Sequence, residues 1–186
     1  MKNYNEKRIV ISRSKKGVPC MWESLTKFPD LTRATTIVDE KGNPWLTWGS
    51  FWDGIQLIKL DQQTMHVKKG AKPQTIARRH AVGDVSAEPN PTSKFAGTNA
   101  IEAPFIMKHG GYYYLFVSWD YCCRGIKSNY RVAVGRSKKV AGPYLDKAGR
   151  DMRNGGGTLL LEGDKKEYEA MGHCSAYSFP DGDYFF

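Results

Sequence analysis

The sequence has no apolar run near the roughly 18–20 residues that a membrane-spanning helix requires, so no helical membrane partner is expected from these residues. Its four cysteines, Cys20, Cys122, Cys123 and Cys174, form no CxxC pair, which argues against a zinc site. Cys122 and Cys123 are adjacent. Neighbours on a strand point to opposite faces, so the two are poorly placed to bridge without strain. The cysteines are therefore expected as small buried hydrophobes. Helix signals are scarce as well. The N-terminal stretch Met1-Lys-Asn-Tyr-Asn-Glu-Lys-Arg8 has no apolar core behind it and is not expected to be a signal peptide, which leaves localisation open. Acidic residues are outnumbered, 19 against 28 basic ones, for a net charge of +9. The excess comes as short pairs (Lys15-Lys16, Lys68-Lys69, Arg78-Arg79, Lys138-Lys139 and Lys165-Lys166) in polar, turn-like segments. No zinc-finger, helix-turn-helix or RNA-recognition pattern accompanies them. They read as solvated loop charge, and no nucleic-acid partner is expected.

What the sequence does contain is strand and turn. Short apolar and aromatic runs alternate with Gly, Pro, Asn and Asp. The expected strands are 8–12, 34–39, 45–51, 55–60, 104–108, 112–119, 130–137, 158–162, 175–179 and 184–186. Three hairpins look alike. Each has an apolar strand, a polar turn holding a glycine (Gly42, Gly110 and Gly182), and then an aromatic-rich strand. An antiparallel unit repeated at this interval suggests propeller blades with long outer connections. After the first two hairpins, 49–61 and 130–144 read as a third strand returning to solvent. The third hairpin has no such continuation, because Phe186 stops inside a strand, and the chain is expected to be cut short there.

One carboxylate stands out. Glu102, in Asn99-Ala-Ile-Glu-Ala-Pro-Phe-Ile106, lies among apolar residues at the start of a buried strand. A carboxylate there is costly unless paired or used. Burial disfavours the charged form of such a group, which is what a general acid needs; the alternative is a Glu that faces solvent or pairs with a basic residue. Glu102 precedes its turn glycine by eight residues and His173 precedes Gly182 by nine. In a propeller these strand starts converge around the axis, so both groups are expected at one axial site. His173 is equally readable as a histidine satisfied within the core.

These segments resemble glycoside hydrolase family 43, and within it the endo-1,5-alpha-L-arabinanases. The matching motifs are Gly49-Ser-Phe-Trp-Asp-Gly-Ile55, Asn99-Ala-Ile-Glu-Ala-Pro104, Ser118-Trp-Asp-Tyr-Cys-Cys-Arg-Gly125, Ser128-Asn-Tyr-Arg-Val-Ala-Val-Gly-Arg-Ser137 and Gly172-His-Cys174. The resemblance implies an all-β fold, a partial five-bladed β-propeller with about three blades present. Residues 1–186 would be part of one catalytic domain, with 1–35 a divergent lead-in and 36–186 the family-like blades. It implies cleavage of alpha-1,5-linked arabinofuranosyl bonds with inversion and Glu102 as general acid. It further implies substrate contacts at Ser50, Phe51, Trp52, Asn99 and Ala100, with Trp119 a further candidate, and a calcium ion in the central channel near His173. The partner would be arabinan or arabino-oligosaccharides, in a family whose members are mostly secreted or periplasmic. The sequence departs from the family where a third carboxylate is expected, since Leu31-Thr-Arg33-Ala34 stands there. The general base, which the family takes from its first blade, has no counterpart either. A hydrolase fragment, inactive by itself, and a non-catalytic carbohydrate-binding remnant are both compatible with this pattern.

Overall fold

A computed structural model describes residues 34–49, 54–82 and 99–185, with Phe185 described by its backbone only. The described chain is all β, in three antiparallel sheets that follow one another in sequence. The first sheet is a meander of β1 (Thr35–Val38), β2 (Pro44–Trp48), β3 (Ile55–Lys59) and β4 (Gln74–Ala77). The second repeats the pattern with β5 (Ile101–His109), β6 (Tyr112–Trp119), β7 (Arg131–Ser137) and β8 (Thr158–Glu162). The third is the hairpin of β9 (Ala176–Phe179) and β10 (Gly182–Phe185). The three hairpins read from the sequence are β1–β2, β5–β6 and β9–β10. The returning segments are β3 and β7, but neither is outermost, because β4 and β8 pair beyond them. β4 was not expected, and the strand expected at 8–12 lies outside the described residues.

Turn chemistry fixes the hairpins. Gly110 and Gly111 both have positive φ, 54° and 75°, and the ladder closes at His109 opposite Tyr112. Two left-handed residues in a two-residue loop match the right-handed twist of the strands they join. In the first hairpin Asp39 organises the turn by accepting hydrogen bonds from the backbone of Lys41 and Asn43 and from the Trp45 indole. Burial pushes the Asp39 carboxyl up, but these hydrogen bonds outweigh it and hold the group below its ordinary range.

Packing follows the two-residue period of a strand. On β6, Tyr113, Leu115, Val117 and Trp119 join Ile55, Leu57 and Ile76 of the first sheet in one core. Phe116 takes the opposite face, with Phe105, Val132, Cys174 and Ala176. The middle sheet is thus buried on both sides, which is why β6 reads as a continuous apolar run and not as an alternation. Contacts between sheets anchor this arrangement. Thr35 Oγ1 donates to the Pro104 carbonyl at 3.0 Å, and the Phe105 and Tyr177 rings meet edge-on at 5.5 Å.

Two of the cysteines depart from expectation, and Cys20 lies outside the described residues. Cys174 is buried, but Cys122 is half-buried and Cys123 exposed, because the pair lies in the β6–β7 loop and not on a strand.

Candidate active site

Glu102 owes its place to an irregularity. It pairs with Ser118, but the register slips before the next pair, Phe105 with Phe116. Ala103 takes up the slip at φ 50°, a left-handed conformation uncommon for a residue with a side chain. Bulges of this kind re-aim side chains, and Pro104 marks the same spot as one where a ladder donor is dispensable. Glu102 is 7% exposed. Its Oε1 accepts a hydrogen bond of 2.5 Å from the Tyr130 hydroxyl. Tyr130, just ahead of β7, is itself buried. Its ring lies against Gly172 so closely that a Cβ there would come within 2.1 Å of it. The Tyr130 carbonyl accepts from the Met171 amide.

The segment that cradles Tyr130 continues into His173. The His173 amide donates to Ser118 Oγ at 2.7 Å, and Ser118 is the residue paired with Glu102. Directly paired residues of an antiparallel ladder share a face. Glu102, Ser118, Tyr130 and the 171–173 backbone therefore meet at one end of the middle sheet. His173 has φ 58° and an exposed side chain, so the core-histidine alternative does not hold. Among the described residues, no group of three or more His, Cys, Asp or Glu side chains is arranged to hold a metal ion. The calcium expected near His173 therefore has no such cluster of protein ligands among the described residues.

Beside this cluster is an ionic lattice that sequence reasoning missed. Asp120 follows β6 with φ 67° and is nearly buried. Arg79 Nε donates to Asp120 Oδ1 at 2.8 Å and Arg79 Nη2 to Oδ2 at 3.3 Å. Arg131 reaches Oδ2 through Nε at 2.8 Å and Nη2 at 2.7 Å. Both carboxylate oxygens are engaged, so Asp120 serves as a brace and is badly placed to act as a base. The brace fixes the start of β5. The Arg79 amide donates to Asn99 Oδ1 at 2.7 Å, and the Asp120 amide to the Ala100 carbonyl at 2.9 Å. Asn99 is half-buried and Ala100 fully buried. The Arg79 guanidinium lies 4.4 Å over the Trp119 ring. Trp119 is 7% exposed and is pressed from elsewhere by Gly157, where a Cβ would approach the indole to 2.4 Å. Its ring is thus a packed support under Arg79 and not an open platform. Ser50, Phe51 and Trp52 lie outside the described residues.

The arrangement offers one buried carboxyl with a hydroxyl donor fixed on it, carried by a rigid bulge, beside a braced strand start. That suits delivery of a proton to a leaving group.

The chain is similar to known proteins. An extracellular endo-alpha-(1->5)-L-arabinanase of Bacillus subtilis is 46% identical over 136 residues, covering 73% of this chain and 35% of the relative. The crystal structure of an exo-1,5-alpha-L-arabinanase from a bovine ruminal metagenomic library superimposes with a TM-score of 0.71 at 53% identity, covering 83% of this chain and 47% of the other. A Cellvibrio cellulosa alpha-L-arabinanase complexed with arabinohexaose gives 0.70 at 43% identity, covering 82% and 46%. The chain therefore spans less than half the length of each of these proteins. Residues 31–186 match the family described as Glycosyl hydrolases family 43, and the chain belongs to that family.

Proposed function

We propose that this chain is the acid-bearing part of an arabinan-cleaving glycosidase, in which Glu102 protonates the leaving oxygen of an alpha-1,5-linked L-arabinofuranosyl bond and the anomeric configuration inverts. On this reading the three sheets are successive blades of a five-bladed propeller, and Glu102 and His173 sit on its axial rim. Asn99 and Ala100 lie beside the acid as substrate contacts, and Ser50, Phe51 and Trp52 are assigned as further substrate contacts from the sequence motif. The substrate is arabinan or arabino-oligosaccharides, and the protein is exported as its relatives named extracellular are. The observation that carries the reading is the buried Glu102 with the Tyr130 hydroxyl on its Oε1. Inverting hydrolysis requires a protonated carboxyl on one side of the scissile bond. It also requires an ionised carboxylate about 6.5–9.5 Å away to activate water. Asp120 is not that second group, because two arginines occupy its oxygens. No residue of this chain is assigned as the base.

The test is complementation. The chain is joined to the remaining blades of an active relative, with the N-terminal blade's Asp in place, and assayed on linear arabinan. Cleavage is expected, together with its loss in Glu102→Gln. A well-folded joined protein that binds arabino-oligosaccharides without cutting them would favour the carbohydrate-binding remnant.

A further inference from the structure

The β6–β7 loop presents two adjacent thiols in a fixed setting. Cys122 Sγ and Cys123 Sγ are 2.8 Å apart. That is inside ordinary van der Waals contact, about 3.5–4.0 Å even for the smaller carbon atoms. Cys123 is exposed, Cys122 half-buried, and Cys123 has φ 63°, a conformation that residues with side chains seldom adopt. The loop around them is tied on both sides. The Tyr121 amide donates to Asn129 Oδ1 and the Asn129 amide to the Tyr121 carbonyl, each at 3.0 Å. The Arg124 amide donates to Ser128 Oγ at 2.9 Å, and Lys165 Nζ donates to the Ser128 carbonyl. The Arg124 guanidinium rests 5.0 Å over the Tyr121 ring. These contacts hold the backbone in the turn that points both sulfurs the same way, against the strand rule that would separate them.

We propose that Cys122 and Cys123 are a reversible redox modification site, bridged to each other through exchange with a low-molecular-weight disulfide. The Cys123 thiol, the more accessible, loses its proton to water and its thiolate attacks the small disulfide. One small thiolate leaves, takes up a proton and departs as a thiol, and Cys123 is left in a mixed disulfide. The Cys122 thiolate, deprotonated in turn, attacks Cys123 Sγ and expels the second small thiol. Two electrons pass from the protein sulfurs to the small disulfide, which is reduced to two thiols. Consecutive Cα atoms stand about 3.8 Å apart, closer than the 4.4–6.8 Å usual for disulfides. A bridge this exposed and this short is of the labile, reducible kind.

The test reads one peptide. Trypsin releases residues 109–124, which contain Cys122 and Cys123 and no other cysteine. The native chain is incubated with oxidised glutathione, quenched with iodoacetamide, denatured and digested. The peptide is expected lighter by two hydrogens and unlabelled, and it should gain two labels once treated with dithiothreitol. The buried Cys174, whose thiol burial pushes up to about 11, serves as the internal control and should carry no bridge. In Cys122→Ser the reaction should stop at a single glutathione adduct on Cys123. Two labels without reduction, a glutathione adduct that persists in the unmutated chain, or cross-links between chains would each overturn the proposal.

Discussion

The Tyr130 hydroxyl donates to Glu102 Oε1 at 2.5 Å, joining the residue ahead of β7 to the bulge of β5. A hydrogen bond to a carboxyl that is neutral, as a general acid must be, contributes about 0.5–1.5 kcal/mol. Tyr130→Phe keeps the ring in its place against Gly172 and removes only the donor. In the joined protein described above, this variant should lower kcat by about twofold to tenfold with KM little changed. An unchanged kcat would show that the hydroxyl does not position the acid.

The 171–173 backbone sets the Tyr130 ring from behind. Adding a methyl at Gly172 would bring it within 2.1 Å of the ring, and at Gly157 within 2.4 Å of Trp119. Both rings are buried, so Gly172→Ala and Gly157→Ala should each cost about 1–3 kcal/mol through overpacking, with the positive φ of 151° at Gly157 adding strain there. Urea denaturation would read this as a lowered midpoint. Gly70→Ala is the contrast, because nothing lies within 4 Å of a Cβ there and only its positive φ of 78° opposes the change.

Much of this organisation was legible in the sequence, and the reasons differ by element. The turn glycines at 42, 110 and 182 each fall in or beside a tight hairpin turn whose flanking runs pair with each other. Counting back from Gly110 and Gly182 led to Glu102 and His173, and Ser118 connects them. β4 escaped notice because Gln74–Ala77 carries one large apolar side chain, Ile76, whereas the equally outermost β8 carries three consecutive leucines. The brace was invisible for another reason. Arg79 and Asp120 are 41 positions apart, and neither residue type nor local pattern pairs one arginine among many basic residues with one aspartate. Cys122 and Cys123 were misread because the strand rule was applied to residues that lie in a loop.

That brace predicts a large response to a small change. Asp120→Asn removes the charge but keeps the shape, leaving Arg79 and Arg131 facing a neutral amide. Arg79 and Asp120 are both largely buried, with side chains 16% and 12% exposed, so solvent cannot replace the lost partner fully. A cost of about 3 kcal/mol is expected. Native-state hydrogen exchange should localise it, with faster exchange at the Arg79 and Asp120 amides that tie down Asn99 and Ala100. Uniform loosening across all three sheets would argue against a local brace.

Acid should weaken the fold through Asp146. Its side chain is 1% exposed and accepts from the Arg150 and Ala148 amides, the Gly157 amide and Arg150 Nε. Burial alone would raise this carboxyl, but the hydrogen bonds from Arg150 and Gly157, with the Arg150 charge, bring it below its ordinary range. A group whose pKa is lower folded than unfolded adds stability above the unfolded value, about 3.9 for Asp. That stability is lost as pH falls from there through the folded value. Asp39 is depressed in the same direction and adds to the slope. Denaturation midpoints should therefore hold between pH 5 and 7 and drop steeply below about 4. Asp146→Asn cannot form the ionised contacts, so it should be less stable than the parent at pH 7 and fall less steeply in acid. The two curves should draw together toward pH 2, and curves that stay parallel would assign the acid loss to other carboxylates.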